Sequence, residues 1–187
     1  MTDIAGLVLA AGSGSRMGQP KATIVDDEGI PWVTRAASFL RNAGAAPVIV
    51  ALGADLEKAV HLLPDWSHHI AVQAWQEGIG ASLRESLISL GRLPETVTAV
   101  LVTLVDLPSA HVASATRLMG TGWTDTALRR AMYHGKPGHP VLIGRAHWLP
   151  LSNQLNGDTG AQAFLKAHGA IEVDCTDIGG GEDVDFL

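Results

Sequence analysis

The sequence predicts an α/β protein built on a mostly parallel sheet. Three observations carry this. Short apolar runs rich in Val, Ile and Leu alternate with segments of helical period along most of the 187 residues. Most of the runs are continuously apolar rather than alternating, the mark of parallel strands covered on both faces. And the first run passes straight into a glycine-rich loop, as a first strand does in sheets that bind ligands at their carboxyl ends.

In chain order, strands are expected over residues 4–10, 47–52, 69–73, 97–105 and 170–175, and helices over 31–43, 55–63, 81–90, 109–119 and 159–168. In the third helix Leu83, Leu87 and Leu90 share one face, and Ser82-x-x-Glu85 reads as a capping box. Residues 126–143 depart from the βαβ rhythm. There Tyr133-His-Gly-Lys-Pro-Gly-His-Pro140 sits between two extended runs, which predicts a hairpin or loop excursion and an antiparallel pair.

Composition narrows the function classes. Hydrophobic residues make up 47% and charged residues 17%, which argues for one globular domain over residues 1–187. A net charge of −6 disfavours nucleic acid as a partner. No apolar stretch reaches the ~18 residues of a membrane span. The opening MTDIAG lacks the basic start of a signal peptide. A single cysteine, Cys175, reads as a buried strand residue and fits a reducing cytoplasm.

Chemistry is expected where the strands end. The first strand ends in Gly12, Gly14 and Gly18, spaced G-x-G-x-x-x-G, with Arg16 and Lys21 close behind. The dinucleotide fingerprint has a different spacing and an acid ending the second strand, and the ATPase loop needs Gly-Lys-Ser/Thr. Neither fits, yet glycines here still bring backbone amides close to phosphate. The alternative is a turn with two solvated cations. The run Val100-Leu-Val-Thr-Leu-Val-Asp-Leu-Pro108 places Asp106 at a strand end on the same sheet edge. A lone carboxylate facing polyphosphate suits Mg²⁺; otherwise it caps the next helix. Asp158, in Asn156-Gly-Asp-Thr-Gly, is either a helix N-cap or a second metal or substrate contact.

These residues resemble a family. LAAGSGSRMGQPK (residues 9–21) looks like the signature loop of nucleotidyltransferases. Together with VTLVDLP (102–108), WQEGIGASL (75–83), GKPGHPVLIGRAHW (135–148) and GDTGAQAFL (157–165), it resembles the molybdenum-cofactor cytidylyltransferase branch of the MobA-like NTP transferases.

The resemblance implies a three-layer, Rossmann-like fold of the nucleotide-diphospho-sugar transferase type, with one reversed strand. It implies transfer of a nucleotidyl group from an NTP to the terminal phosphate of a molybdopterin-like acceptor, with contact to a molybdoenzyme as a further partner. Leu9, Ala10, Ala11, Gly12, Ser13, Gly14 and Ser15 would wrap the nucleotide, with Gln73, Gly78 and Ser82 completing its site. Arg16 and Lys21 would neutralise the triphosphate, and Asp106, with Asp158, would hold Mg²⁺. Ala11 leans toward CTP, because its Cβ narrows the space for a purine. Tyr133, Lys136 and His139 are the acceptor contacts; for His139 a backbone-bonded loop histidine is the equal alternative.

Two departures stand out. Gly179 occupies the position of an aspartate in the family's closing motif, leaving Asp177 or Asp158 as a substitute metal ligand. Val72-Gln73 replaces the usual Asn-Pro before the WQEG motif. The competing functions are a guanylyl or sugar-1-phosphate nucleotidyltransferase, an NAD-binding oxidoreductase and a non-catalytic nucleotide-binding accessory protein.

Overall fold

A computed structural model describes residues 3–15 and 17–184. Seven strands form one sheet: β1 (Asp3–Ala10), β2 (Val48–Leu52), β3 (His68–Ala71), β4 (Val97–Leu104), β5 (Leu128–Tyr133), β6 (Lys136–Gly144) and β7 (Ile171–Asp174), in the order β3-β2-β1-β4-β6-β5-β7. β1 pairs in parallel with both β2 and β4, and only β6 runs against its neighbours β4 and β5. The sheet is thus the mostly parallel one with a single reversed strand that the family resemblance implied.

The helices are α1 (Trp32–Asn42), α2 (Leu56–Val60), α3 (Ile79–Leu90), α4 (Val112–Met119), α5 (Trp148–Ser152) and α6 (Gln162–Ala167). Alternation along β1 sorts the core into two. Ile4, Val8 and Ala10 pack with Leu40 of α1 and Leu118 of α4, whereas Ala5, Leu7 and Leu9 pack with Leu83 and Leu87 of α3, Leu151 of α5 and Leu165 of α6. Each fully buried leucine contributes ~1.5–3 kcal/mol, so both helical layers are held to the sheet by apolar burial. Cys175 is fully buried just past β7.

Of the local expectations, the hairpin forms and the capping box does not. Around residues 133–140, where the sequence leaves a hairpin or a loop excursion open, His134-Gly135 is a two-residue turn in which both residues take positive φ (51° and 75°). Lys136 and the prolines after it belong to β6. The capping box does not form. α3 starts a turn earlier, at Ile79, and the Ser82 hydroxyl donates back to the Gly78 carbonyl. Glu85 instead accepts the backbone N–H groups of Gln73 and Ala74, both at 2.8 Å, and ties the end of β3 to the helix. Finally, α5 carries no periodic signal long enough to have been expected.

Candidate active site

The parallel pairing of β1 and β4 puts their carboxyl ends side by side, with Leu9 opposite Leu104 and the Val105 N–H donating to the Leu9 carbonyl. The glycine loop leaves one strand and Asp106 the other. Gly14 takes φ +61°, and a Cβ there would lie 1.9 Å from the Gln19 carbonyl oxygen, so only glycine lets the loop turn back on itself. Gly12 faces open space. Among the described residues, no backbone or side-chain acceptor takes the amides of Gly12, Ser13, Gly14 or Ser15. A row of uncommitted N–H groups at a strand end is an anion site in waiting.

Past the loop, a short helical turn at Lys21–Thr23 lifts Lys21 back over the sheet edge. Its Nζ donates to Asp106 Oδ2 at 2.7 Å, with the two side chains only 17% and 15% exposed. The other carboxylate oxygen, Oδ1, is buried and accepts no hydrogen bond among the described residues. The backbone of Asp106 is held as well, since its carbonyl accepts the Val184 N–H at 3.0 Å.

Asp158 reaches the same place from a distant part of the chain. Gly80 N–H donates to the Gly157 carbonyl at 2.9 Å, docking the 75–80 segment on the 156–159 loop. The approach requires glycine: a Cβ on Gly78 would sit 2.2 Å from Asp158 Oδ1, and Gly78 has φ +124°. Asp158 does not cap α6, whose N-cap is Ala161 without a side-chain bond.

These elements enclose a polar cavity of about 590 Å³ lined by Leu9, Ala10, Ala11, Gly12, Ser13, Gly14, Ser15, Lys21, Gly78, Ser82, Asp106 and Asp158. Trp75, Gln76, Ile79, Leu104 and Val105, which were not anticipated, complete its wall. Arg16 lies outside the described residues. Gln73 is not part of the wall; its side-chain amide donates to the Ala71 carbonyl of its own strand. Asp177 is diverted elsewhere: both its oxygens take the Arg117 guanidinium, which holds its carboxyl below the usual range. Among the described residues no three His, Cys, Asp or Glu side chains converge. A metal here would rest on one or two carboxylates, which suits a cation that keeps phosphate and water ligands.

A second, apolar cavity of about 220 Å³ adjoins the first, sharing Leu9 and Ile79 with it. His139 lines it, and burial pushes the imidazole down to about pKa 4, although the charges of Asp106 and Asp183 oppose that shift. The other two acceptor candidates lie apart. Tyr133 is buried behind the wall, its hydroxyl donating to the His139 carbonyl at 3.0 Å, and Lys136 is exposed beside the hairpin turn. Arg130 of β5 lines this cavity and was missed, since nothing in Leu-Arg-Arg-Ala says which arginine points inward.

Known proteins resemble this chain in sequence and in fold. The nicotine blue oxidoreductase of Paenarthrobacter nicotinovorans is 28% identical over 98% of this chain and 93% of its own. The structure of Rv0371c from Mycobacterium tuberculosis H37Rv superposes with a TM-score of 0.81 at 26% identity, covering 99% of this chain and 94% of that one. A further structure of Rv0371c, in complex with manganese, has a TM-score of 0.74 at 24% identity over 92% of this chain and 88% of that one. No helix among the described residues is long and apolar enough to cross a membrane. The model of the MobA-like NTP transferase domain matches residues 6–172, and the chain belongs to that family.

Proposed function

We propose that the protein transfers a nucleotidyl group from an NTP, with CTP favoured, to the terminal phosphate of a small ring-bearing acceptor of the molybdopterin kind. The observation that carries this reading is the pairing of Lys21 with Asp106, which follows β4, in one cavity with the glycine loop that follows β1, whose amides at residues 12–15 meet no acceptor among the described residues.

The loop amides receive the triphosphate, and Lys21 swings from Asp106 to the phosphate oxygens as they arrive. An acceptor phosphate oxygen then attacks the α-phosphorus in line. A new P–O bond forms as the bond to the β-phosphate oxygen breaks, and pyrophosphate leaves with that electron pair. The nucleophile needs no general base, because a phosphate monoester has its second pKa near ~6. Rate enhancement comes from alignment and preorganised positive charge. The unpartnered Asp106 Oδ1 suits a divalent cation, with Asp158 across the cavity as the second carboxylate. Bound there, Mg²⁺ would supply charge neutralisation at the reacting phosphate.

Base choice rests on Ala11, which is buried in the cavity wall with its carbonyl accepting the Ala54 N–H at 3.0 Å. A pinned backbone leaves its methyl group as the selective element, and one methyl is worth ~1–3 kcal/mol. Pyrophosphate release is measured with each of the four NTPs, Mg²⁺ and phosphorylated pterin or sugar acceptors. CTP with a pterin acceptor is expected to be fastest, and Ala11→Gly to shift the CTP:GTP ratio toward GTP by ~10-fold.

One observation favours a second reading, reduction of a ring compound: the relative matched along nearly the whole chain is an oxidoreductase acting on nicotine blue. In that case the polar cavity holds the phosphates of a nicotinamide dinucleotide and the apolar one the ring. Oxidation of NADH with no pyrophosphate release from any NTP and acceptor would decide for it.

A further inference from the structure

We propose that Arg84 is a positioning residue for the polar cavity: it ties the loop that carries Asp158 to α3, and so sets how tightly the cavity holds a divalent cation. This rests on the reading above in one respect, that Asp158 faces that cation.

α3 divides its surface among three tasks. Leu83, Leu87 and Leu90 are buried in the core, while Ile79 and Ser82 line the polar cavity. Gly80 and Arg84, one helical turn apart, share the side that meets residues 155–159. Gly80 lets the loop lie against the helix, since a Cβ there would come within 2.5 Å of the Thr159 carbonyl oxygen. Arg84 reaches further along the loop, and its Nη1 donates to the Leu155 carbonyl at 3.1 Å. The other arm of the guanidinium, Nη2, meets Glu77 Oε2 at 3.3 Å. It thereby grips the turn at Trp75–Glu77, whose Trp75 and Gln76 stand in the cavity wall.

What needs holding is Asp158. Its carboxylate lines the cavity and has no hydrogen bond or ion pair among the described residues, so its place depends on its backbone. The bonds within the loop do not supply that anchorage. The Thr159 N–H turns back to the Asn156 carbonyl at 2.9 Å, and the Leu155 N–H closes on Ser152 at 3.4 Å just upstream. The loop is fixed to the cavity by the Gly80 N–H and the Arg84 guanidinium, with the Leu155 side chain buried between them and the core. A bond from a guanidinium is about twice as strong as one between neutral groups. The pair with Glu77, which is 57% exposed, is worth much less. The contact with Leu155 is therefore the one through which Arg84 acts on Asp158.

The test uses the whole protein with Mn²⁺ alone, the free ion being counted by its electron paramagnetic resonance signal. Asp158→Asn and Arg84→Met are each expected to weaken binding by ~10-fold, the low end for a lost ligand support. The double variant should bind within ~2-fold of Asp158→Asn, because no carboxylate is left to position. Glu77→Gln, which breaks the ion pair and spares the bond to Leu155, should stay within ~2-fold of the parent. An arginine with a merely structural part would give losses that multiply. Should Arg84→Met not fold, the cycle is run with Arg84→Lys, which keeps the charge but not the two-armed fork. Multiplying losses overturn the role of Arg84, as does an Arg84 variant that binds like the parent while Asp158→Asn does not. Mn²⁺ binding that ignores Asp158→Asn removes the reading of Asp158, and this proposal with it.

Discussion

Replacing Asp106 by Asn separates what this carboxylate does for the fold from what it does for turnover. At 2.7 Å from Lys21 Nζ, the gross attraction at an effective dielectric of ~20 is about 6 kcal/mol. Desolvation of two largely buried groups offsets most of that. Asn keeps the shape of the side chain and one oxygen toward Lys21, so the expected loss of stability is ~1–2 kcal/mol, between the values for exposed and fully buried pairs. In the proposed reaction turnover loses more: the charge that would anchor the cation, and the partner from which Lys21 would be released, both disappear. A fall of at least ~10²-fold in kcat is expected, the scale for one preorganised electrostatic contact. The assay pairs denaturant unfolding with pyrophosphate release under saturating CTP, Mg²⁺ and acceptor. Turnover within ~3-fold of the parent, at a stability loss of that size, would refute the role given to Asp106. So would a collapse in stability that alone accounts for the lost activity.

Three further outcomes are expected. Gly78→Ala forces a Cβ to within 2.2 Å of Asp158 Oδ1 at a positive φ, and should cost at least ~2 kcal/mol in unfolding free energy. Gly12→Ala, with no atom within 4 Å of the new methyl, should leave thermal unfolding within ~0.5 kcal/mol of the parent while weakening NTP binding in calorimetry. His139 titrates at about 4, below its ordinary 6.5, so the unfolded chain takes up this proton first. Its contribution is complete above pH ~6.5 and is lost as pH falls toward ~4, by up to ~3 kcal/mol. His139→Gln should flatten the pH dependence of Tm across that interval, and an unchanged slope would contradict the assignment.

Much of the fold was legible because the strands that matter are buried on both faces. The run ending in Ala10 and the run ending in Asp106 each announce a strand by composition, and one parallel pairing suffices to put the loop and the carboxylate together. What escaped the sequence depends on contacts between distant segments. Ser82 and Glu85 satisfy a local capping pattern, yet Glu85 finds two backbone donors at the end of β3, and no local pattern reveals that competition. Asp158 looked equally like a helix cap until the Gly78–Gly80 segment docked on its loop. Arg129 and Arg130 are indistinguishable as letters, and only the two helical layers decide which one faces carbonyls and which a cavity. The tight hairpin moved Lys136 and Tyr133 away from the pocket because two positive φ values at His134-Gly135 leave no loop to bend inward.

The hydrogen bond from the Val184 N–H to the Asp106 carbonyl gives the molecule an internal reporter. Asp106 is gripped by Lys21 through its side chain and by the Val184 amide through its backbone, so segments far apart in the sequence meet at a single residue. Any event that draws Lys21 away shifts the balance at that residue and is felt at the amide, by linkage. The exchange rate and chemical shift of one backbone proton, remote from the glycine loop in sequence, thereby read the occupancy of the polar cavity without a label on substrate or metal.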